Sequence, residues 1–265
     1  MNETLEAVAR ALFKSWFVDV DPVRAKAEGR QPTDVGVETA ALFAGAFQNS
    51  LLGKIPKGWE VVELETIAEV IDCLHSTKPI RQPRGKPLLQ LRNIRDDGLI
   101  DMTDTYWIKD EDYRLWTSRI EASPTDCVVT NVGRVGAVAQ IPQGLQAALG
   151  RNMTAARCRQ SFPYPTFLIQ CLLSSPMKDE MALKTDAGTI LDALNVRKIP
   201  RLRLVRPPMP LVSQFEARCR PLRARMEQNA GDSATLAGIR NALLPKLLSG
   251  EIRLKGAEES VETET

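Results

Sequence analysis

Residues 4–13 and 235–244 of this 265-residue chain can be laid over one another without a gap. Thr4-Leu5-Glu6-Ala7-Val8-Ala9-Arg10-Ala11-Leu12-Phe13 meets Thr235-Leu236-Ala237-Gly238-Ile239-Arg240-Asn241-Ala242-Leu243-Leu244. Thr, Leu, Ala and Leu are identical, and Val8/Ile239 and Phe13/Leu244 are apolar in both. Two unrelated amphipathic helices would share part of that pattern, but a repeat this far apart constrains the fold: both ends are copies of one helical element. In the first copy Leu5, Val8, Leu12 and Trp16 step by three and four, one face of a helix over residues 4–17 that Asp21-Pro22 ends. Near the other end Phe215, Cys219, Leu222 and Met226 do the same, and Leu236, Ile239, Leu243 and Leu247 resume the stripe. Ser213-Gln214-Phe215-Glu216 reads as a capping box that opens this helix. Continuous from 213 to 249, it would be ~55 Å long. An apolar stripe of that length needs a partner helix. Pro221, Gly231, Gly238 and Pro245 argue against one straight rod.

Between the ends the pattern changes. Short β-type runs at Glu60–Leu64, Pro87–Ile94, Cys127–Asn131, Val135–Ile141, Thr154–Arg157 and Arg201–Val205 are punctuated by Gly and Pro, with one helical stretch near Pro165–Leu183. This predicts an α+β domain. Hydrophobic residues at 43% and charged residues at 26% are those of a globular chain. No apolar run approaches the ~18 residues of a membrane span and no signal peptide is seen, so a cytoplasmic protein is expected. The one histidine, His75, must carry any His-dependent chemistry. The five cysteines (73, 127, 158, 171, 219) contain no CxxC pair and read as buried thiols. Neither a phosphate-binding Gly-rich loop nor a nucleophile triad stands out, and no metal or cofactor is expected.

Several words resemble the specificity (S) subunits of type I restriction-modification systems. Leu12-Phe13-Lys14-Ser15-Trp16-Phe17-Val18-Asp19 with Asp21-Pro22-Val23-Arg24-Ala25-Lys26 is similar to the segment after that family's central conserved helix. Ile55-Pro56-Lys57-Gly58-Trp59-Glu60 with Leu64 resembles the opening of a target recognition domain. Asp72-Cys73 and His75-Ser76-Thr77 resemble one branch of such domains, and Gly188-Thr189, Leu191 and Leu194-Asn195-Val196 resemble their closing signature. Leu243 to Ile252 resembles the end of the distal conserved helix. The resemblance implies one mixed α/β target recognition domain flanked by conserved helices, the C-terminal one long and coiled-coil-like. The implied layout is 1–20 tail of the central helix, 21–54 linker, 55–210 recognition domain, 211–252 distal helix and 253–265 a disordered acidic tail. A complete S subunit has two recognition domains and this chain has one, so it resembles the second half. Pro221 and Gly231-Asp232 depart from the expected distal helix.

The function implied is sequence-specific binding of double-stranded DNA, directing methyltransferase (M) and restriction (R) subunits that hold the catalytic activities. The net charge of +2 does not announce a nucleic-acid binder, but residues 113–210 hold 13 bases against six acids. Arg suits guanine and Asn or Gln suits adenine. The candidate DNA readers are therefore His75, Ser76, Thr77 and Lys78 with Arg81; Gln90, Arg92, Asn93 and Arg95; Thr130, Asn131 and Arg134; and Arg151 and Asn152. A basic ladder of Arg197, Lys198, Arg201, Arg203 and Arg206 meets either phosphate or a protein interface, with Arg201 and Arg203 on one strand face. Leu5, Val8, Leu12, Trp16, Leu236, Ile239, Leu243 and Leu247 are the helix-pairing set. Two copies, or this chain and a second half-subunit, could pair these helices and read an inverted-repeat site. The alternative is a truncated or regulatory S fragment that binds M subunits without productive DNA recognition.

Overall fold

The computed structural model describes residues 1–33, 35–186 and 192–251. The chain opens with α1 (Asn2–Phe13), which runs into a π-type turn at Lys14–Val18 closed by the Asp19 N–H donating to the Lys14 carbonyl (2.8 Å). Val20, in the left-handed region at φ 51°, turns the chain into α2 (Asp21–Ala27), whose second residue is Pro22. After α3 (Val37–Ala41) come the hairpin β1 (Phe47–Ser50) and β2 (Gly53–Pro56), then β3 (Glu60–Glu63), β4 (Ala68–Asp72), β5 (Lys86–Leu89) and β6 (Tyr106–Ile108). The order continues with α4 (Asp110–Trp116), β7 (Cys127–Thr130), β8 (Val138–Gln140), β9 (Ala148–Leu149), β10 (Met153–Cys158), α5 (Pro165–Leu173) and α6 (Ser175–Lys184). The short pair β11 (Thr185–Asp186) and β12 (Ala193–Leu194), β13 (Arg203–Arg206) and α7 (Met209–Leu248) complete it.

The central sheet runs β4-β10-β7-β8, antiparallel throughout. Beside it lie a three-stranded sheet, β6-β5-β9, and the pair β13-β3. Both faces of the central sheet are covered. Cys127, Val129, Val138 and Ala156 join the larger core with α1, α5 and α7, while Val128, Ala139, Met153 and Ala155 join a second core with Leu89, Ile94 and Leu149. A strand buried on two sides reads as a continuous apolar run, which is why Cys-Val-Val-Thr at 127–130 shows no alternation. The helical stretch expected at 165–183 is two helices. Ser174 adopts an extended ψ of 153° and Ser175-Pro176 starts the second.

Residues 21–54, read as a linker, are built into the fold: Val23 and Phe43 are buried in the larger core. An aromatic cluster welds the chain's two ends to the domain. The Phe215 ring of α7 lies 5.5 Å from Phe13, 5.2 Å from Phe17 and 6.3 Å from both Trp16 and Phe167. Such edge-to-face pairs favour one fixed arrangement of rings.

α1 runs antiparallel along the first half of α7. Asn2 Nδ2 donates to the Met226 carbonyl (3.0 Å) and Asn229 Nδ2 donates to Asn2 Oδ1 (2.8 Å), whereas Phe13 meets Phe215. The buried stripe is Ala9 and Phe13 of α1 with Trp16 of the turn that follows; Leu5 and Leu12 are half-buried, and Val8 faces solvent. The stripe is therefore turned from the one the spacing predicted, because Phe13 carries its centre. The second copy of the repeat does not pack on the first. Leu236, Ile239 and Leu243 are 65%, 50% and 42% exposed.

The capping box is a correction. α7 begins at Met209, after Pro208, four residues before Ser213. Glu216 instead reaches across to α5 and accepts the N–H groups of Thr166 (3.1 Å) and Phe167 (2.9 Å) in its first turn. A carboxylate suits the positive end of that helix. α7 is one helix of 40 residues, ~60 Å long, with Pro221 and Pro245 inside it. One of its side chains, Arg223, is buried. Its Nη2 donates to the Gly98 carbonyl (2.5 Å), Nε lies 3.3 Å from Glu227, and burial lowers its pKa. No helix among the described residues is long and apolar enough to cross a membrane. The tail beyond residue 251 lies outside the described residues.

Candidate nucleic-acid interface

Antiparallel pairing brings three loops to one end of the central sheet. Asp72 at the end of β4 sits opposite Thr154 near the start of β10, and Met153 sits opposite Thr130 at the end of β7. The 73–85 segment, the 150–152 turn and the 131–136 turn therefore lie side by side. The 150–152 turn is shaped by its residues. A Cβ on Gly150 would lie 2.6 Å from the Leu89 carbonyl oxygen, and Asn152 takes φ 69°, a conformation Asn tolerates.

His75, Ser76, Thr77, Arg151 and Asn152 line one open cleft, so five of the predicted readers are brought together. Next to it stands a group of bases. Lys78 Nζ lies 4.2 Å from the centre of the Tyr106 ring and the Arg81 guanidinium 5.8 Å from the same ring. The Tyr106 hydroxyl donates to the Pro79 carbonyl (2.7 Å) and ties the loop down. Burial and then the like charges of Arg92, Arg151 and Arg81 depress the pKa of Lys78. One carboxylate, Asp104, serves both Arg81 (2.5 Å) and Arg92 (3.0 Å). Among the described residues no carboxylate pairs with Lys78 or Arg151. The cluster is short of negative charge, which a phosphate would supply.

Other predicted readers are placed elsewhere. Asn93 is buried; its Oδ1 accepts the Gln90 N–H (2.7 Å) and its Nδ2 donates to the Asp101 carbonyl (2.6 Å). Thr130 is buried with its hydroxyl on the Arg134 carbonyl. Asn131 is buried, its N–H donating to the Asn152 carbonyl (3.0 Å) and its carbonyl accepting from Leu194 (2.8 Å). These three shape turns and present no edge to a base. Arg95 grips Asp97 (2.5 Å), and Arg134 donates to the Ile94 carbonyl and the Asp96 carboxylate. Both line a second cleft with Arg10 that also holds Glu3, Glu6, Asp96 and Asp97, so their charges are met within the cleft. The basic ladder is mostly neutralised: Lys198 pairs with Asp186 (2.6 Å), Arg201 with Glu63 (3.8 Å), Arg203 with Glu180 (3.3 Å) and Arg206 with Glu60. Arg201 precedes β13, so it does not share a strand face with Arg203; Arg197 is exposed in a turn capped by Asn195. Gly188, Thr189 and Leu191 lie outside the described residues.

Sequence reasoning missed Tyr106 and Arg119, and read Asp72 only as part of a family-like word, not as a partner of His75. Asp72 Oδ2 lies 3.0 Å from His75 Nε2 and 3.2 Å from Arg119 Nη1, and Arg119 also donates to the Cys73 carbonyl (3.1 Å). The Asp72, Cys73 and His75 ligand atoms all lie within 4.8 Å of one another. Burial pushes the remaining thiols up, to about 12 for Cys158, Cys171 and Cys219, and no disulfide joins the cysteines.

The fold and site define one α/β domain with a polar, basic rim, mounted on a long helix. No model of a known protein family matches the sequence. The chain is 26% identical over 261 residues to the MjaIX type I restriction enzyme specificity subunit of Methanocaldococcus jannaschii, covering 96% of this chain and 54% of that one. It is 24% identical over 293 residues to the HindI type I restriction enzyme specificity subunit of Haemophilus influenzae, covering 95% and 62%. The fold matches the S subunit of a type I restriction-modification system from M. genitalium with a TM-score of 0.54 at 12% identity, over 93% of this chain and 55% of that one. The chain is thus similar to type I specificity subunits from end to end. It spans little more than half the length of these relatives.

Proposed function

We propose that this chain is a DNA-recognition subunit of a type I restriction-modification complex. It reads double-stranded DNA in sequence and directs methyltransferase and restriction subunits, which carry the chemistry, in the cytoplasm. The observation that supports this reading is the under-neutralised cluster of Lys78, Arg81, Arg92 and Arg151 beside the polar rim of His75, Ser76, Thr77 and Asn152. The bases hold the phosphate backbone and set register, and the rim presents donors and acceptors to base edges. The exposed distal half of α7 is the surface for a second copy or another half-subunit. Its stripe would pair isologously about a two-fold axis and set the distance between two readers.

The test is selection from a randomised duplex pool by the chain together with its methyltransferase subunit, followed by binding over a range of salt. Enrichment of a single motif, with a steep salt dependence, is expected. Binding to the methyltransferase with no enriched motif would instead support a regulatory fragment that occupies M subunits without reading DNA. Light scattering that finds only monomer, alone and with the methyltransferase, would remove the dimer.

A further inference from the structure

We propose that Asp72, Cys73 and His75 bind one divalent transition-metal ion, zinc by the chemistry of the donors, at the root of the 73–85 loop. Three ligand types converge there within 4.8 Å of one another. His75 Nε2 and Asp72 Oδ2 are 3.0 Å apart. Two ~2.0 Å bonds to a shared ion at a tetrahedral angle put their ligand atoms about 3.3 Å apart. Asp72 Oδ1 is buried and lacks any hydrogen-bond partner, so the carboxylate has acceptor capacity that the protein leaves unused. A mixed sulfur, nitrogen and oxygen set suits zinc rather than magnesium or calcium. The cleft lined by Ser76, Thr77, Arg151 and Asn152 opens beside His75 and leaves room for water as a fourth ligand.

One group opposes the ion: Arg119 stands 3.2 Å from Asp72 Oδ2 and donates to the Cys73 carbonyl (3.1 Å), so its half-exposed side chain must swing off the carboxylate as the ion binds. The site matters because the 73–85 loop contains no regular element and carries His75, Ser76, Thr77, Lys78 and Arg81. An ion across residues 72, 73 and 75 would fix the start of that loop. No CxxC spacing announces such a site; it appears once the end of β4 has turned into the loop.

The full chain, stripped with a chelator and kept free of DNA, is titrated with Co2+ under anaerobic conditions. A saturable one-to-one complex with tetrahedral d–d bands and a thiolate-to-cobalt charge-transfer band is expected, and Zn2+ should displace it. Cys73→Ser should abolish the charge-transfer band. His75→Ala, at an exposed position that folding does not need, should weaken binding about 10-fold or more. Absence of a saturable complex in the native chain overturns the proposal, and so does a charge-transfer band that survives Cys73→Ser. Because no DNA is present, failure here leaves the DNA-reading proposal standing, and success does not depend on it.

Discussion

The two halves of α7 belong to one helix and live in different worlds. The first half buries Leu211, Val212, Phe215, Cys219 and Met226 under α1, α5 and the rest of the α/β domain. The second half leaves Leu236, Ile239, Leu243, Leu244 and Leu248 in contact with solvent. An isolated stretch of some 20 residues is a marginal helix in water, and this one contains Gly231, Gly238 and Pro245. The contrast teaches that the buried contacts of the fold end at about residue 229, and that the apolar stripe beyond it is left uncovered.

The sharpest way to break that comparison is a pair of alanine substitutions. Phe215→Ala, in the centre of the aromatic cluster, should cost about 3–5 kcal/mol in thermal or denaturant unfolding. Leu243→Ala should change the same measurement by less than about 0.5 kcal/mol at concentrations where the chain is monomeric, yet weaken self-association in sedimentation. Equal losses in unfolding would mean that the distal half is part of the folded monomer. Next in size is Glu216→Ala. It leaves two N–H groups at the start of α5 without a partner and should cost about 1–3 kcal/mol, in the covered half of the helix.

A smaller effect separates the two groups of bases. Arg151→Ala and Lys78→Ala should each lower the slope of log K against log salt by about 0.9, read by fluorescence anisotropy with duplex DNA. Arg134→Ala and Arg201→Ala, whose charges are met by Asp96 and Glu63, should leave it unchanged. The smallest effect is one of pH. Burial alone would raise the Glu180 carboxyl, but the Arg203 N–H and guanidinium and the Lys184 ammonium outweigh it and hold the pKa below the usual value. A carboxylate depressed in the fold contributes stability above its unfolded pKa and loses it as pH falls through the folded one. Melting temperature should therefore decline as pH drops below about 4.3, and decline less steeply in Glu180→Gln.

Much of the architecture was legible because it is local. Proline and glycine marked the strands, and the apolar steps marked both helical ends. The candidate site was legible only in part. Asn93, Thr130 and Asn131 looked like base readers because a buried polar residue that shapes a turn carries the same side chain as one that reads DNA; only burial separates them. Tyr106 escaped notice because its cation, Lys78, is 28 positions earlier. Glu216 was taken for a local cap because its true partner, the start of α5, lies 50 residues upstream. Long-range partners decide these cases, and a linear pattern does not contain them.

Arg223 has a mechanical consequence. A guanidinium sealed beneath the Gly98 carbonyl acts as a bolt between the shaft and the α/β domain, and a side chain on Gly98 would strike Leu173 at 2.8 Å. No joint is left at that point. A turn of the covered half of the shaft about its axis would therefore carry the domain with it, because the Arg223 contact locks the two together.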